Sequence, residues 1–382
     1  MRTQKPSRIS SIDMLRGLVM LIMLVDHVRE RFFSHHPITD PLTISEISTS
    51  LFFTRLSAHI CAPTFVFLTG LSAWLYANPI NKPTRPASSF LLKRGLLLIL
   101  LEATLINFSW YGAYHTLYLQ VIWAIGISMI CLGLLLFAKV PKIGIGAIGL
   151  LIIFGHNLLA PIAFEPSEFG YSLWTILHDR GFLMTNNFIK IKASYPVLPW
   201  IGVILFGYFC GPIFKHDVLA KKRQRTLLIS GISSLLVLII LRGFTTYGET
   251  LPWHPQSNFI SSTMHFLNYT KYPPSLDYLL LTLGISSILL FCFENASKTT
   301  TQILKIYGSA PMFFYVIHLY ILLISYKVLL SVFGPNQGTA FGINHVYQIW
   351  LIALLLAIAL YYPTKKFANY KRKSTSKLIK YF

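Results

Sequence analysis

The sequence predicts an all-α membrane protein, a bundle of about ten transmembrane helices with both termini in the cytoplasm. Of its 382 residues, 54% are hydrophobic and only 12% are charged, and the mean hydropathy is +0.58. Soluble domains carry roughly 25% charged residues, so this composition excludes an ordinary globular enzyme, a disordered chain and a coiled coil. Apolar stretches occur along the whole length, which leaves a polytopic membrane protein.

A helix needs about 20 mostly apolar residues to cross the hydrocarbon core of a bilayer, and ten stretches qualify. They are residues 12–30, 51–77, 90–110, 117–138, 143–160, 197–214, 226–244, 275–293, 309–332 and 346–362. The first stretch contains ionisable residues, so we expect it to be buried among the other helices. The predicted organisation is one transmembrane domain over residues 1–364 and a basic cytoplasmic tail over residues 365–382.

The basic residues predict the orientation of the chain. With the N-terminus in the cytoplasm, the inner segments contain 23 of the 33 Lys and Arg residues, the outer side contains nine, and Arg16 lies within the first helix. Cytoplasmic loops of membrane proteins are enriched in Lys and Arg, so both termini are predicted to lie inside. The same rule accounts for the net charge of +20 without a nucleic-acid partner. The tail is expected to contact anionic lipid headgroups.

Several kinds of site lack support in the sequence. The four cysteines are far apart, lie within apolar runs and form no Cys-x-x-Cys pair. This pattern argues against a disulfide framework and a structural zinc site, and no metal is expected. No Walker loop, HExxH or GxSxG motif is present, so ATP-driven transport and hydrolase chemistry lose support.

The histidines indicate a polar vestibule that opens to the outside. Ionisable residues within a bilayer are costly and usually line a cavity or a pathway. Nearly all of the twelve histidines fall at the predicted midplane or on the outer side, and His216 is the clear exception.

The first helix carries polar residues on one face. Arg16 and His27 are eleven residues apart, which places them about 16 Å apart along the axis of a helix. Asp13 precedes Arg16 by about one turn. An inner cation and an outer imidazole suit a ligand that delivers a group outward, and we expect Arg94 and Lys93 to join Arg16 around a phosphate group. The alternative is an Asp13–Arg16 ion pair that only holds helices together.

The other candidates have structural alternatives of their own. His27 beside Asp26 is either a catalytic imidazole or part of a hydrogen bond between helices. Glu102 is a general base, a group that orients a histidine, or an ion-pair partner. The His35-His36 pair is either catalytic or part of a hydrated loop.

The same choice applies to the residues that we assign to substrate binding. His59 and His318 either line a ligand site or are ordinary buried histidines with local partners. Lys271 and Tyr272 either recognise a substrate or belong to a rigid turn, which alone would explain the prolines that follow them.

Blocks of sequence spread over nearly the whole chain resemble bacterial proteins with the heparan-α-glucosaminide N-acetyltransferase catalytic domain. The blocks are RISSIDMLRGL at 8–18, DHVR at 26–29, FFTR at 52–55, CAPTFVFLTG at 61–70, FLLKRGL at 90–96, QVIWAIG at 120–126, YPVLPWIG at 195–202, KYPPSL at 271–276 and FFYVIH at 313–318. Each block alone is weak, but their joint occurrence is specific. Trp123, within one of these blocks, joins the candidates for substrate binding.

The resemblance implies a transmembrane acyltransferase that takes acetyl-CoA from the cytoplasm and acetylates a sugar on the far side. It implies a catalytic histidine near the outer end of the first helix, with an amide partner nearby. The match puts the amide position at Asp26 and His27, and the histidine at His35 or His36. The wider superfamily of transmembrane acyltransferases uses a histidine at the His27 position instead. The chain departs from the eukaryotic branch by having Asp-His at the amide position and no large lumenal domain.

The hypothesis from the sequence is an acyl transfer through the helix bundle. Arg16, Arg94 and Lys93 would hold the CoA phosphates. His27, held by Asp26 or Glu102, would act as a general base on a sugar hydroxyl or amine, or would carry the acyl group itself. The expected partners are membrane lipids and a small-molecule or glycan acceptor, with no nucleic acid, and the expected location is the (inner) cell membrane.

Two competing functions remain open at this point. A helix bundle with an outer vestibule would also suit a transporter or binding protein for an amphipathic or lipid-linked sugar, without chemistry. However, the chain shows no halves related by a repeat, which many carriers have. A non-catalytic scaffold in glycan assembly would not need the ionisable residues within the bundle.

Overall fold

The computed structural model describes residues 9–36, 38–185, 189–376 and 379. Residues 1–8 of the predicted domain and residues 377, 378 and 380–382 of the predicted tail lie outside the described residues. Over the described ranges the chain is mostly helical, as predicted.

The helices follow one another along the whole described chain. The α-helices are α1 (Ser10–Phe32), α2 (Thr49–Ser57), α3 (Cys61–Ala77), α4 (Ser88–Leu101), α5 (Asn107–Tyr111), α6 (Val121–Phe137), α7 (Lys142–Gly155), α8 (Tyr171–Leu177), α9 (Leu198–Phe209), α10 (Ala220–Phe244), α11 (Phe259–Phe266), α12 (Leu276–Glu294), α13 (Lys298–Ser309), α14 (Pro311–Phe333) and α15 (Val346–Lys373). Short 3-10 helices lie at Ile44–Glu46, Ala58–Ile60, His156–Leu159 and Gly211–Phe214, and a π-helix at Glu102–Ile106 joins α4 to α5.

Six helical segments of the described chain are long and apolar enough to cross a membrane. They are Thr49–Ala77, Lys142–Leu159, Ala220–Phe244, Leu276–Glu294, Pro311–Phe333 and Val346–Lys373. Two further predicted spans, 117–138 and 197–214, contain the shorter apolar helices α6 and α9, of 17 and 12 residues. The remaining two correspond to α1, which contains charged residues, and to the segment interrupted by the π-helix.

A small sheet departs from the predicted all-α fold. Within the described ranges its strands are β1 (Thr116–Leu119), β2 (Gly181–Thr185) and β3 (Lys190–Ala193), in the order β1-β3-β2. β3 pairs parallel to β1 and antiparallel to β2. β1 comes from the start of the predicted span 117–138, whereas β2 and β3 come from the segment that follows the predicted span 143–160. Pairing between segments so far apart along the chain produces no local sequence pattern.

Helix α1 is buried among other helices, as the sequence predicts. It packs against α3, α12, α13, α14 and α15. Most of its residues are buried, and these include Asp13, Asp26 and His27. The helix that carries the predicted site is therefore surrounded by protein.

Helix α15 does not end where the sequence predicts the tail to begin. It runs from Val346 to Lys373 with Pro363 inside it. Residues 365–373 of the predicted tail therefore continue the last helix of the bundle instead of forming a separate segment.

Two glycines allow α1 and α13 to cross at very short distance. A Cβ atom at Gly308 would lie 1.8 Å from the carbonyl oxygen of Asp13, and a Cβ atom at Gly17 would lie 2.0 Å from that of Leu304. Both atoms in the way belong to the backbone, so a side chain at either position would push the helices apart.

We predict that Gly308→Ala destabilises the protein by about 1–3 kcal/mol, the usual cost of overpacking. The measurement is the melting temperature of the purified protein in detergent. Gly243→Ala is the control, because a Cβ atom at Gly243 meets nothing within 4 Å. Equal melting temperatures for the two variants would contradict the close crossing.

Candidate active site

A large cavity lies against the polar face of α1. Its volume is about 820 Å³, within the range of roughly 300–1,000 Å³ typical of small-molecule sites. Its wall is formed by parts of α1, α3, α4, α6, α13, α14 and α15. The α1 residues on this wall are Asp13, Arg16, Met20, Met23, Asp26 and His27.

The spacing of these α1 residues explains why they share one wall. From Asp13 to Asp26 they follow one another at three or four residues, and His27 lies four residues after Met23, the spacing that places side chains on one face of a helix. Arg16 and His27 therefore mark two levels of the same cavity, separated by about 16 Å of helix rise. The structure brings the two residues together on one passage, on the face that the sequence predicts.

The end of the cavity near Arg16 is a basic mouth. The cationic side chains on this part of the wall are Arg16, Arg94, Lys305, Lys365, Lys371 and Arg372. Three of them come from the last turns of α15. Residues that the sequence assigns to a lipid-binding tail therefore form part of the cavity wall.

Arg16 is held in place by three groups. One nitrogen of its guanidinium donates to Asp13 at 2.9 Å and to the carbonyl of Gly308 at 3.2 Å. The other donates to the hydroxyl of Ser72 at 3.1 Å. The bonds of Arg16 to Gly308 and Ser72 link α1 to α13 and α3, and the pair with Asp13 holds the guanidinium in place for them. This is the structural alternative that the sequence left open, while both residues also line the cavity.

Arg94 and Lys93 take different positions, although they are neighbours on α4. Arg94 is half-buried on the cavity wall, where its guanidinium carbon lies 5.9 Å from the centre of the Phe90 ring. Lys93 is exposed and does not contribute to the wall. The structure gives no support to the prediction that Lys93 joins Arg16 around a phosphate, because Lys93 is exposed and lies off the cavity wall.

Between the mouth and His27 the cavity wall is largely apolar. The side chains there include Met20, Met23, Phe65, Leu98, Ile125, Met129 and Met312. A basic opening followed by an apolar passage suits a ligand with an anionic head and a long, less polar arm.

His27 is fixed by another histidine. Its Nδ1 lies 2.7 Å from Nε2 of His318, and Nδ1 of His318 lies 2.7 Å from the carbonyl oxygen of Phe314. A carbonyl oxygen only accepts hydrogen bonds, so Nδ1 of His318 carries a proton. Nε2 of a neutral His318 then accepts from Nδ1 of His27. This arrangement leaves Nε2 of a neutral His27 unprotonated, and none of the described residues hydrogen-bonds to it.

Two aromatic rings enclose the same imidazole. Trp110 lies edge-on at 5.0 Å between ring centres, and Tyr315 lies edge-on at 5.8 Å. The orientation of His27 is thus set by packing as well as by His318. A fixed ring with one available nitrogen on a cavity is suited to proton transfer or to nucleophilic attack.

Asp26 does not orient His27, contrary to the hypothesis from the sequence. One of its oxygens accepts from Arg29 at 2.8 Å, and the other accepts from Arg55 at 2.9 Å. All three side chains are buried. Removing one partner of such a buried cluster typically costs about 3–5 kcal/mol, so Asp26 has a clear structural role.

Glu102 does not orient His27 either. One of its carboxylate oxygens accepts from the backbone N–H groups of Ile122 at 3.0 Å and Trp123 at 3.1 Å. These groups lie in the first turn of α6, where backbone donors lack partners within the helix. Glu102 is 1% exposed and caps α6 from the neighbouring π-helix.

Three further candidates do not reach the cavity wall. Ile122 and Ile125 of α6 line the cavity, whereas Trp123 of the same helix does not. His59 is buried, and its carbonyl oxygen accepts from the hydroxyl of Tyr278 at 2.7 Å. His59 and Trp123 therefore stand behind the wall, and His318 acts on the cavity only through His27.

His35 and His36 lie apart from His27. Their rings pack against each other and against Phe33, with 4.5 Å between the two imidazole centres. His36 lines a separate hollow of about 100 Å³. The structure therefore separates these two histidines from the basic mouth, whereas it joins His27 to it.

Lys271 and Tyr272 lie beside the cavity in the connection between α11 and α12. Lys271 is on the cavity wall, and Tyr272 donates from its hydroxyl to that of Tyr195, another wall residue, at 2.9 Å. Asp40 accepts from the backbone N–H groups of Lys271 and Tyr272. Burial raises the pKa of the Asp40 carboxyl above its usual value, while Arg55 and Lys271 act in the opposite direction.

Sequence reasoning missed several residues of this cavity. Lys305, Tyr195 and the end of α15 were not assigned to a donor site. For α15 a signal existed, because Lys365, Asn369 and Arg372 follow one another at helical spacing and share a face. Among the described residues, no group of three or more His, Cys, Asp or Glu is arranged to hold a metal ion.

We predict that Glu102→Gln retains most of the stability, because its side-chain oxygen still accepts from the start of α6. Glu102→Ala should cost about 0.5–2 kcal/mol, as the loss of a helix cap does. Melting temperatures of the three proteins test this prediction. Equal losses for the two variants would show that the charge of Glu102 matters beyond capping.

Comparison with known proteins assigns the chain to a family. A family model described as heparan-alpha-glucosaminide N-acetyltransferase, catalytic, matches residues 8–243, which is more than half of the chain. No curated protein is significantly similar to it. The match includes His27 and Arg94, whereas Lys271, His318 and α15 lie beyond it.

The family and the apolar helices together indicate a multi-pass membrane acetyltransferase, and such enzymes in general use acyl-CoA as the co-substrate. The family resemblance carried by the sequence blocks is therefore confirmed over residues 8–243. The chain belongs to the family of heparan-α-glucosaminide N-acetyltransferase catalytic domains.

Proposed function

We propose that the protein transfers an acetyl group from cytoplasmic acetyl-CoA to a hydroxyl or amine of a sugar or glycan acceptor on the opposite side of the membrane. The observation that carries this proposal is the cavity that joins a basic mouth to His27. In this proposal the chain has ten spans, both termini lie in the cytoplasm, and the protein resides in the (inner) cell membrane. The basic mouth is then the cytoplasmic end.

The mouth suits the phosphate groups of CoA. Arg94 and the basic side chains at the end of α15 offer several donors for phosphate oxygens, and arginine binds such groups in bidentate fashion. The apolar passage beyond them suits the pantetheine arm, which would place the thioester near His27.

His27 then acts on the acceptor as a general base. The acceptor oxygen or nitrogen attacks the thioester carbonyl carbon and forms the new bond, while Nε2 of His27 takes the acceptor proton. The C–S bond then breaks, and the leaving sulfur takes that proton back from His27. The products are the acetylated acceptor and CoA with a free thiol.

A covalent route is the variant. In it Nε2 of His27 attacks the thioester, and the acetyl group passes from the imidazole to the acceptor. Ping-pong kinetics and label on His27 after incubation with radiolabelled acetyl-CoA would favour this route. A requirement for both substrates before CoA is released would exclude it.

A carrier or binding protein without chemistry is the competing function. The cavity alone would serve it, but a carrier has no need for a histidine whose second nitrogen is left available by the bond to His318. Incubation of the purified protein with radiolabelled acetyl-CoA and envelope glycan separates the two functions, because only a transferase moves label to the acceptor.

We predict that His27→Ala abolishes acetyl transfer, with a loss of at least about 10²-fold, the usual contribution of a general base. Folding and acetyl-CoA binding should persist, since the mouth is about 16 Å away along α1. Transfer of label to glycan and a thermal shift with CoA are the two measurements. Full transfer activity in this variant would end the assignment.

The role of His318 is tested in the same assay by a pair of variants. His318→Leu should lower kcat with little change in KM, because His27 loses the acceptor that sets its tautomer. His318→Gln offers an amide at a similar position and should retain more activity. Equal kcat values for these two variants would argue against a positioning role.

We predict that Arg94→Gln raises the KM for acetyl-CoA about tenfold, because a hydrogen bond to a charged group contributes about 1.5–3 kcal/mol. Lys93→Gln is the matched control, since its side chain faces away from the cavity, and its KM should equal that of the wild type. A short acetyl thioester without phosphates should be used equally well by both variants. A raised KM for that thioester in Arg94→Gln would contradict phosphate recognition.

A further inference from the structure

Lys271 is a buried cation on the wall that also holds His27. It lies in the connection between α11 and α12 and is only 4% exposed. The cavity lining includes both Lys271 and His27. Lys271 lies beyond residues 8–243, so the family match does not assign it a role.

The charge of Lys271 is not neutralised by a hydrogen-bonded partner. Its ammonium group makes no hydrogen bond or ion pair with any of the described residues, and it lies over the face of the Tyr272 ring, 5.1 Å from the ring centre. Both carboxylate oxygens of Asp26 are engaged by Arg29 and Arg55.

Asp40, the other carboxylate close to this segment, accepts from the backbone of Lys271 and not from its ammonium. The backbone of Lys271 is therefore fixed while its charge stays available. The carboxylates of Asp26, Glu30 and Asp40 act on this charge only through space, without a hydrogen bond to the ammonium. A buried ammonium without a hydrogen-bond acceptor is costly, and such groups persist where a ligand or a reaction supplies the opposite charge.

Lys271 lies close enough to His27 to interact with it electrostatically, so both belong to the same end of the cavity. The proposed reaction supplies a negative charge at this end. When the acceptor attacks the thioester, the electron pair of the carbonyl double bond moves onto the oxygen, which becomes an oxyanion. The pair returns to form the double bond again when the C–S bond breaks. A preorganised cation beside this oxygen lowers the energy of the transition state, and this is commonly the largest single contribution to catalysis.

We propose that the ammonium group of Lys271 stabilises the oxyanion that forms on the acetyl carbonyl, which makes Lys271 a catalytic residue. The ammonium donates a hydrogen bond to the oxyanion and keeps its proton throughout. His27 transfers the proton of the acceptor, and Lys271 stabilises the negative charge on the carbonyl oxygen of the acetyl donor. The proposal rests on the proposed acetyl transfer.

The experiment measures release of CoA thiol from acetyl-CoA by the full chain in detergent, with glucosamine as acceptor and with water alone. The variants are Lys271→Met and Lys271→Arg. Lys192→Met is the matched control, because Lys192 also lies over an aromatic ring, that of Phe182 at 5.0 Å, but does not line the cavity.

The expected result is a fall in kcat of about 10²-fold or more for Lys271→Met, with KM for acetyl-CoA and for glucosamine within threefold of the wild type. Hydrolysis by water should fall by the same factor, because it passes through the same oxyanion. Lys271→Arg should retain part of the activity, and Lys192→Met should match the wild type.

Other results would overturn the inference. A Lys271→Met variant with wild-type kcat removes Lys271 from the chemistry. A rise in KM confined to glucosamine, with hydrolysis unchanged, would instead make Lys271 part of the acceptor-binding site and not of the chemistry. If Lys271→Met does not fold, Lys271→Gln takes its place, and a kcat within threefold of the wild type contradicts the proposal.

Failure of the proposed function itself would look different. In that case the wild-type protein would release no thiol with either acceptor, and the inference would fall with it. Thiol release by the wild type together with an unaffected Lys271→Met variant would overturn the inference alone.

Discussion

The ionisable side chains of α1 must find partners or face a cavity, because an isolated charge inside an apolar bundle is too costly to keep. The rest of the structure depends on how this requirement is met. Asp13 pairs with Arg16, and Asp26 pairs with cations from α1 and α2. His27 pairs with a histidine from α14. The helices around α1 supply these partners. Where these helices do not contact α1, the space between them and α1 forms the cavity.

The sequence was sufficient for features that depend on one helix. Arg16 and His27 belong to the same helix, so their spacing alone placed them on one face, and the hydropathy of the chain predicted the buried, membrane-type bundle. The bond between His27 and His318 joins residues 291 positions apart, and no local pattern predicts it. Glu102 caps a helix that begins 19 residues later, which likewise depends on tertiary packing. Only Arg29, one turn after Asp26, could have been recognised beforehand as its partner.

The site combines two parts of the chain. The family match ends at residue 243 and contains His27 together with the mouth residue Arg94. The residues that orient His27 and complete the wall, His318, Lys271 and the last turns of α15, follow after it. The histidine is thus contributed by one part of the chain and its tautomer is set by the other.

The path of α15 has a practical consequence for handling the protein. Its final turns border the basic opening, so a bulky label attached to these turns would lie beside the opening of the cavity. Such a label would obstruct entry of a ligand, and an acidic label would compete for the cations of the opening.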